Sequence, residues 1–232
     1  MAAATPLETY IAKNFDKDPK ALLELVMAES QRIQAEAKVM AEVTFDERGF
    51  KSATMAGLWR LAQIYAGCQL VPEQYRGKPY DCFVAVQLAQ RMGVDAFMLM
   101  QNSYVVHGRP GIEAKLAIAL ANKSGFLTDR IRFRLTGEGQ GRTCVAYATD
   151  AKTGEVCEGP PVSLETAGRE GWDADKGGRN GAPVVLSKWK TLPELMLRYR
   201  AAAFFIRTFC PEVLMGLHTT DELEDIDGLA PK

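Results

Sequence analysis

The segment SKWKTLPELMLRYRAAAFFIRTFCPEVLMG, residues 187–216, constrains this chain more than any other. Pro193 suits the first turn of a helix, where a missing N–H costs little, and Pro211 cannot continue one. The spacing predicts a helix over about 193–210. At the helical repeat, Leu195, Tyr199, Ala202, Ile206 and Phe209 form one apolar stripe, and Leu197, Ala201 and Phe204 a second. Met196, Arg200, Ala203 and Arg207 share a narrow face between them. Arg200 and Arg207 are two turns apart, about 10 Å along the axis, and Ala203 between them leaves room for a ligand. Guanidinium groups are planar, permanently charged and multidentate, so two of them suit an extended phosphate backbone. Arg198 joins them, with Lys188, Trp189 and Lys190 at the helix entry. The alternative is that these arginines pair with core carboxylates or reach solvent. On the first reading their removal spares the fold, whereas Tyr199 and Phe209 belong to the core.

A second basic pattern is RIRFRL, residues 130–135. In a strand, Arg130, Arg132 and Arg134 point to one face and Ile131, Phe133 and Leu135 to the other. Three like charges on one face repel unless something negative lies across them; otherwise the face is simply solvated. Lys115 and Lys123, with Lys188, Trp189 and Lys190, are expected to join the same groove. An aromatic ring beside cations lets bases stack where phosphates bind.

The net charge of −1 conceals a pattern. Residues 1–50 hold six basic and nine acidic groups, residues 51–210 hold 21 and 14, and residues 211–232 hold one and six. A basic body between acidic ends points to a polyanion partner. Five widely spaced cysteines without a CxxC, and only two histidines, read as buried reduced thiols rather than a zinc site. No apolar run approaches the roughly 20 residues of a membrane helix, and the N-terminus lacks the regions of a signal peptide. A cytosolic protein is expected.

The chain reads as α+β, an antiparallel meander packed with helices and a long basic helix near the C-terminus lining a DNA groove. Residues 1–50 form an N-terminal helical segment, with an amphipathic helix over 19–40 that suits packing on a neighbouring subunit or on its own body. Residues 51–210 form the core, and 211–232 an acidic tail, read as one helical turn followed by disorder. Residues 43–50 read as a connector, 52–67 as a helix capped by Ser52, 81–94 as a helix stopped at Gly93, and 112–125 as a helix closed by Gly125. Residues 97–111 read as strand segments with a Gly-Arg-Pro-Gly turn, and 130–135, 142–150 and 155–163 as the meander. A short helix over 165–172 and a Gly-rich loop over 173–183 complete the reading.

The pattern W-x-x-x-P-x-x-M-L-R-x-[KR]-A occurs here as Trp189, Pro193, Met196, Leu197, Arg198, Arg200 and Ala201, with Arg207 following. It resembles the phage single-strand annealing proteins of the Red-beta/RecT recombinase family. The order of MGVDAF, QNSYVVHGRPG and LANKSGF upstream is also similar, so the resemblance covers roughly residues 80–216. It implies a protein without covalent chemistry that binds single-stranded DNA and anneals complementary strands without ATP. It implies a ring or helical homo-oligomer holding DNA and the annealed duplex intermediate in a basic groove. No cofactor is required, Mg²⁺ entering only through DNA. A partner exonuclease or a host single-strand binding protein is implied, in the cytoplasm of a bacterial host and with phage or prophage origin. Positions matching Arg200 and Arg207 lie on the family's DNA-binding helix. Glu194 and Leu195 depart from residues that are basic in Red-beta. The chain ends soon after this helix, so a separate partner-binding C-terminal domain is not expected within it.

The residues agree on the absence of a nucleotide loop. No G-x-x-x-x-G-K-[ST] occurs, and GEGQG lies between strands rather than opening a helix. Two rivals remain. Asp95 with Glu113-Ala114-Lys115 copies the D…ExK spacing of Mg²⁺-dependent nucleases, but that chemistry needs ExK on a strand, and here it opens a helix. A non-catalytic protein-interaction or structural module is the other, distinguished by weak salt dependence.

Overall fold

The computed structural model describes residues 19–41, 43–46, 49–106, 108–175, 177 and 184–226. The chain falls into two compact units, 1–97 and 98–232. Part of the Gly-rich loop (176 and 178–183) and the last six residues of the acidic tail lie outside the described residues. The class is α+β, with three small sheets.

In the first unit the first described element is helix α1 (Pro19–Ala41). Its apolar positions Leu23, Val26, Met27, Ile33 and Met40 are exposed. The expected connector is instead a hairpin, β1 (Val43–Asp46) with β2 (Gly49–Ser52), in which Phe45 faces Phe50. Their rings lie 5.2 Å apart. Gly49 has φ +92°, and a Cβ there would collide with the Asp95 carboxylate, so only glycine serves at this corner. Two four-residue strands carry too little alternation to be read from sequence.

Helix α2 (Met55–Gly67) starts three residues later than expected. Its cap is Thr54, whose side chain accepts from the Gly57 N–H at 3.1 Å. Ser52, the expected cap, is buried and accepts from the Thr54 N–H instead. Helix α3 (Pro79–Met92) has proline in its first turn and ends at Gly93, which is left-handed at φ 65°. The two helices pack together, with Trp59 against Tyr80 and Phe83.

The second unit holds most of helix α4 (Ala96–Gln101), where a strand was expected. The hairpin β3 (Ser103–Val106) and β4 (Arg109–Ile112) follows. Arg109, Pro110 and Gly111 belong to β4 and not to the turn. Helix α5 (Ala114–Lys123) leads to the meander β5 (Arg132–Thr136), β6 (Thr143–Thr149) and β7 (Val156–Glu158). The short β8 (Val162–Ser163) pairs with β6 beyond the end of β7, and Ser163 caps α6 (Leu164–Arg169). Then come α7 (Lys188–Thr191) and α8 (Pro193–Phe209).

The described part of the acidic tail is not an appendage. Residues of β9 (His218–Thr219) pair in parallel with Gly111 and Ile112 of β4, and α9 (Thr220–Ile226) follows. Leu223 is buried, and its Cδ1 lies where a Gly111 side chain would have to go.

The core of this unit forms where α8 meets β6 and α5. Strand β6 alternates strictly, burying Cys144, Ala146 and Ala148. Small residues there let α8 approach closely: Gly159 donates its N–H to the Ala146 carbonyl at 2.8 Å, and a side chain at Gly159 would press on Phe205. Burial pushes the thiols of Cys82, Cys144 and Cys210 up to about 11. Thiolate is the reactive form. A thiol reagent added to native protein at pH 7 is therefore expected to leave these three unlabelled until denaturant is added, while the half-buried Cys68 and Cys157 are the accessible ones. Peptide mapping of the labelled sites checks this, and fast native labelling of Cys144 would contradict the packing of α8 on β6.

Candidate nucleic-acid interface

Two consecutive helices build the site. Ser187 caps α7, accepting from the Trp189 N–H at 3.3 Å, and Pro193 begins α8 directly after Leu192. Trp189 is 4% exposed and packs on Trp172, with ring centroids 5.4 Å apart. It stands inside the unit, closed to a base approaching from solvent. Its indole Nε1 is buried with no hydrogen-bond partner among the described residues.

Arg200 is 5% exposed. Its guanidinium lies 4.1 Å from the Trp172 ring centroid and within about 6 Å of Trp189 and Phe204. It also donates to the Asp221 carbonyl at 3.4 Å. The expected polar stripe is thus mostly buried, Met196 and Ala203 included. The expected core positions Leu195 and Phe209 are 38% and 39% exposed, and Tyr199 is half-buried. Helical spacing identifies which residues share a face, but α8 is covered by several elements at once, so the burial cannot be assigned from the stripe alone.

Arg207 meets the alternative weighed for it, a core carboxylate. Its Nη2 lies 2.5 Å from Glu222 Oε2 and 2.7 Å from His218 Nδ1. Glu222 is 3% exposed and accepts on the same oxygen from the Thr219 N–H at 2.9 Å and its hydroxyl at 2.8 Å. This is half of a capping box at the start of α9. Arg200 and Arg207 therefore tie α9 to α8, and neither guanidinium stands free for a phosphate.

Beside them lies a cleft of about 370 Å³. Tyr104, Glu113, Lys115, Lys188, Tyr199 and Asp221 line it, with the β3 valines and the first turn of α9. Lys115 pairs with Glu113 at 2.5 Å. That contact holds the Lys115 ammonium above its ordinary range. Glu113 likewise pushes the Tyr104 phenol up, so Tyr104 stays protonated. Two lysines offset two carboxylates, so the cleft combines cations, hydrogen-bonding groups and two aromatic rings rather than one sign of charge.

The other expected residues lie elsewhere. Lys190 pairs with Asp175 at 2.9 Å, and Arg198 with Glu194 at 3.4 Å. Glu194, one of the departures from the family pattern, also accepts from Arg142 at 2.5 Å. Lys123 is exposed at the end of α5. Arg130 is exposed ahead of β5, which starts at Arg132 and not at residue 130. Arg132 lies 3.6 Å from Asp129, and Arg134 lies 2.6 Å from Glu158 and over the Tyr147 ring. No residue of β5, β6 or β7 lines the cleft, so the expected single groove divides into separate surfaces.

Tyr104, Tyr199, Trp172 and Glu222 went unread as site residues. Only Glu222 carried a sequence signal: it follows Thr219 at the capping-box spacing. Of the nuclease set, Glu113 stands at the N-cap position of α5 without a side-chain capping bond, and its carboxylate is engaged by Lys115, so this ExK opens a helix. Among the described residues no group of three or more His, Cys, Asp or Glu could hold a metal ion. No described helix is long and apolar enough to cross a membrane.

No protein-family model matches the chain, and no match was found among curated proteins or solved structures.

Proposed function

We propose that this chain binds single-stranded DNA and anneals complementary strands without ATP, as a homo-oligomeric phage-type recombinase working in a bacterial cytoplasm. The observation that carries the reading is the cleft where Lys115 of α5, Lys188 of α7, Tyr104 of β3 and Tyr199 of α8 converge. Lysines hold phosphates without regard to base identity. Tyrosine rings accept any base by stacking. Such a surface presents one strand with its pairing edges free, and a closed duplex offers it little. Arg200 and Arg207 support this surface from beneath by holding the first turn of α9, which forms one wall. Apolar side chains on the outside of α1 suit contact with neighbouring subunits, and an exonuclease or a host single-strand binding protein would hand DNA over. Mg²⁺ is not required for any of these contacts.

The test is annealing of complementary oligonucleotides with no nucleotide added. Lys115→Gln and Lys188→Gln should each weaken single-strand binding equally across sequences. Each lost phosphate contact should lower the slope of log K against log salt by about 0.7. Strict dependence on ATP, or binding that ignores salt, would overturn the reading.

A further inference from the structure

We propose that the outer face of the β5–β6–β7 meander is a second binding surface for single-stranded nucleic acid, distinct from the cleft; this rests on the annealing function proposed above.

Residues directly opposed in an antiparallel pair point to the same face. Arg132 opposes Tyr147, and Arg134 opposes Val145. The intervening Cys144, Ala146 and Ala148 are buried toward α8. Arg132, Arg134 and Tyr147 therefore point away from α8, and Arg130, two residues before Arg132, is exposed as well. The Arg134 guanidinium lies 5.4 Å from the Tyr147 ring centroid, which puts a cation beside an aromatic face. Arg132 and Arg134 stand about 7 Å apart along the strand, about two nucleotide steps at the roughly 3.4 Å per step of a duplex strand. The carboxylates facing them are Asp129 and Glu158. Both pairs are solvent-exposed, with the arginine side chains 64% and 49% accessible. Exposed ion pairs of this kind hold weakly, so a phosphate can displace either carboxylate. The chemistry selects an anionic backbone with a stacking partner, and the uncovered face has the width of three strands.

A sheet and the helix packed on it separate this face from the cleft, since α8 occupies the inner side of β6 and Tyr199 of the same helix lines the cleft. A strand on one surface leaves the other open. Pairing needs two strands on one assembly. The cleft would hold the first, and the arginine face would keep the second on the same assembly, weakly enough to release it for pairing.

The experiment titrates fluorescent oligo(dT), which cannot pair with itself, into the full-length chain at low and moderate salt, counting sites per chain. It compares the wild type with Arg132→Gln/Arg134→Gln, Lys115→Gln/Lys188→Gln and Glu158→Gln. The wild type should show two classes of site, the weaker lost at moderate salt. The arginine double variant should lose only the weaker class, at least tenfold in affinity, and anneal at least tenfold more slowly with an unchanged thermal melt. The lysine double variant should lose only the tighter class. Glu158→Gln, which frees Arg134, should tighten the weaker class at least threefold. One class of site weakened alike by both double variants would mean a single groove and overturn the proposal, as would an arginine variant that binds and anneals like the wild type; in both cases the annealing function stands. Absence of any oligo(dT) binding by the wild type would instead remove the annealing reading itself.

Discussion

Arg207→Ala is expected to destabilise the second unit by about 3 kcal/mol, the lower end for breaking a buried ion pair from one side. The reason is what it leaves behind. Glu222 is 3% exposed, and its Oε1 already has no hydrogen-bond partner among the described residues. Without Arg207 its charge would be held by the Thr219 N–H and hydroxyl alone. Removing the charge as well should recover much of the loss, because a glutamine side chain in place of Glu222 would keep a carbonyl for the capping interaction. Arg207→Ala/Glu222→Gln is accordingly expected to be more stable than Arg207→Ala by about 1–2 kcal/mol, within the range of coupling for residues in contact. Urea unfolding of the wild type, both single variants and the double variant measures the coupling. An Arg207→Ala protein with the wild-type midpoint would show that α9 is held by its apolar contacts and that the arginine serves something outside the fold. The two variants also separate roles in binding: a loss of DNA affinity that the double variant restores arises from α9, and one it does not restore arises from the guanidinium.

Phe205→Ala is expected to cost about 3–5 kcal/mol, as for other fully buried aromatics, whereas Phe209→Ala should cost about 1 kcal/mol, mostly its ring contact. Phe205 is fully buried where α8 meets the meander, close enough that a side chain at Gly159 would press on it, and Phe209 is 39% exposed. Their rings lie 5.1 Å apart, so the smaller effect is not zero. Thermal melts of the two variants side by side decide the ordering. Equal losses would mean that Phe209 is covered in solution, for instance by a neighbouring subunit.

Helix α8 shows where the sequence is legible and where it is not. Pro193 and Pro211 state its limits directly, because proline restricts the backbone at its own position whatever surrounds it. Gly93 ends α3 for an equally local reason, its left-handed conformation. The alternation of β6 and the arginine parity of 132 and 134 were readable because strand period is a property of the chain itself. Of the residues expected in one groove, Lys115 and Lys188 line the same cleft.

What the sequence by itself determined is the order of most elements, the α+β class and the faces that individual helices and strands present. What only the tertiary structure decided is which of those faces are inside. The stripe of Met196, Arg200 and Ala203 looked outward while α8 was considered alone, yet all three are buried, Arg200 against Trp172, Trp189 and the returning α9. The acidic tail looked like a solvated end until β9 paired with β4 and brought Glu222 to Arg207. Both outcomes depend on contacts between residues distant in the chain. Local spacing carries no term for such contacts; they are set by the burial and pairing energy of elements that meet only once the chain has folded.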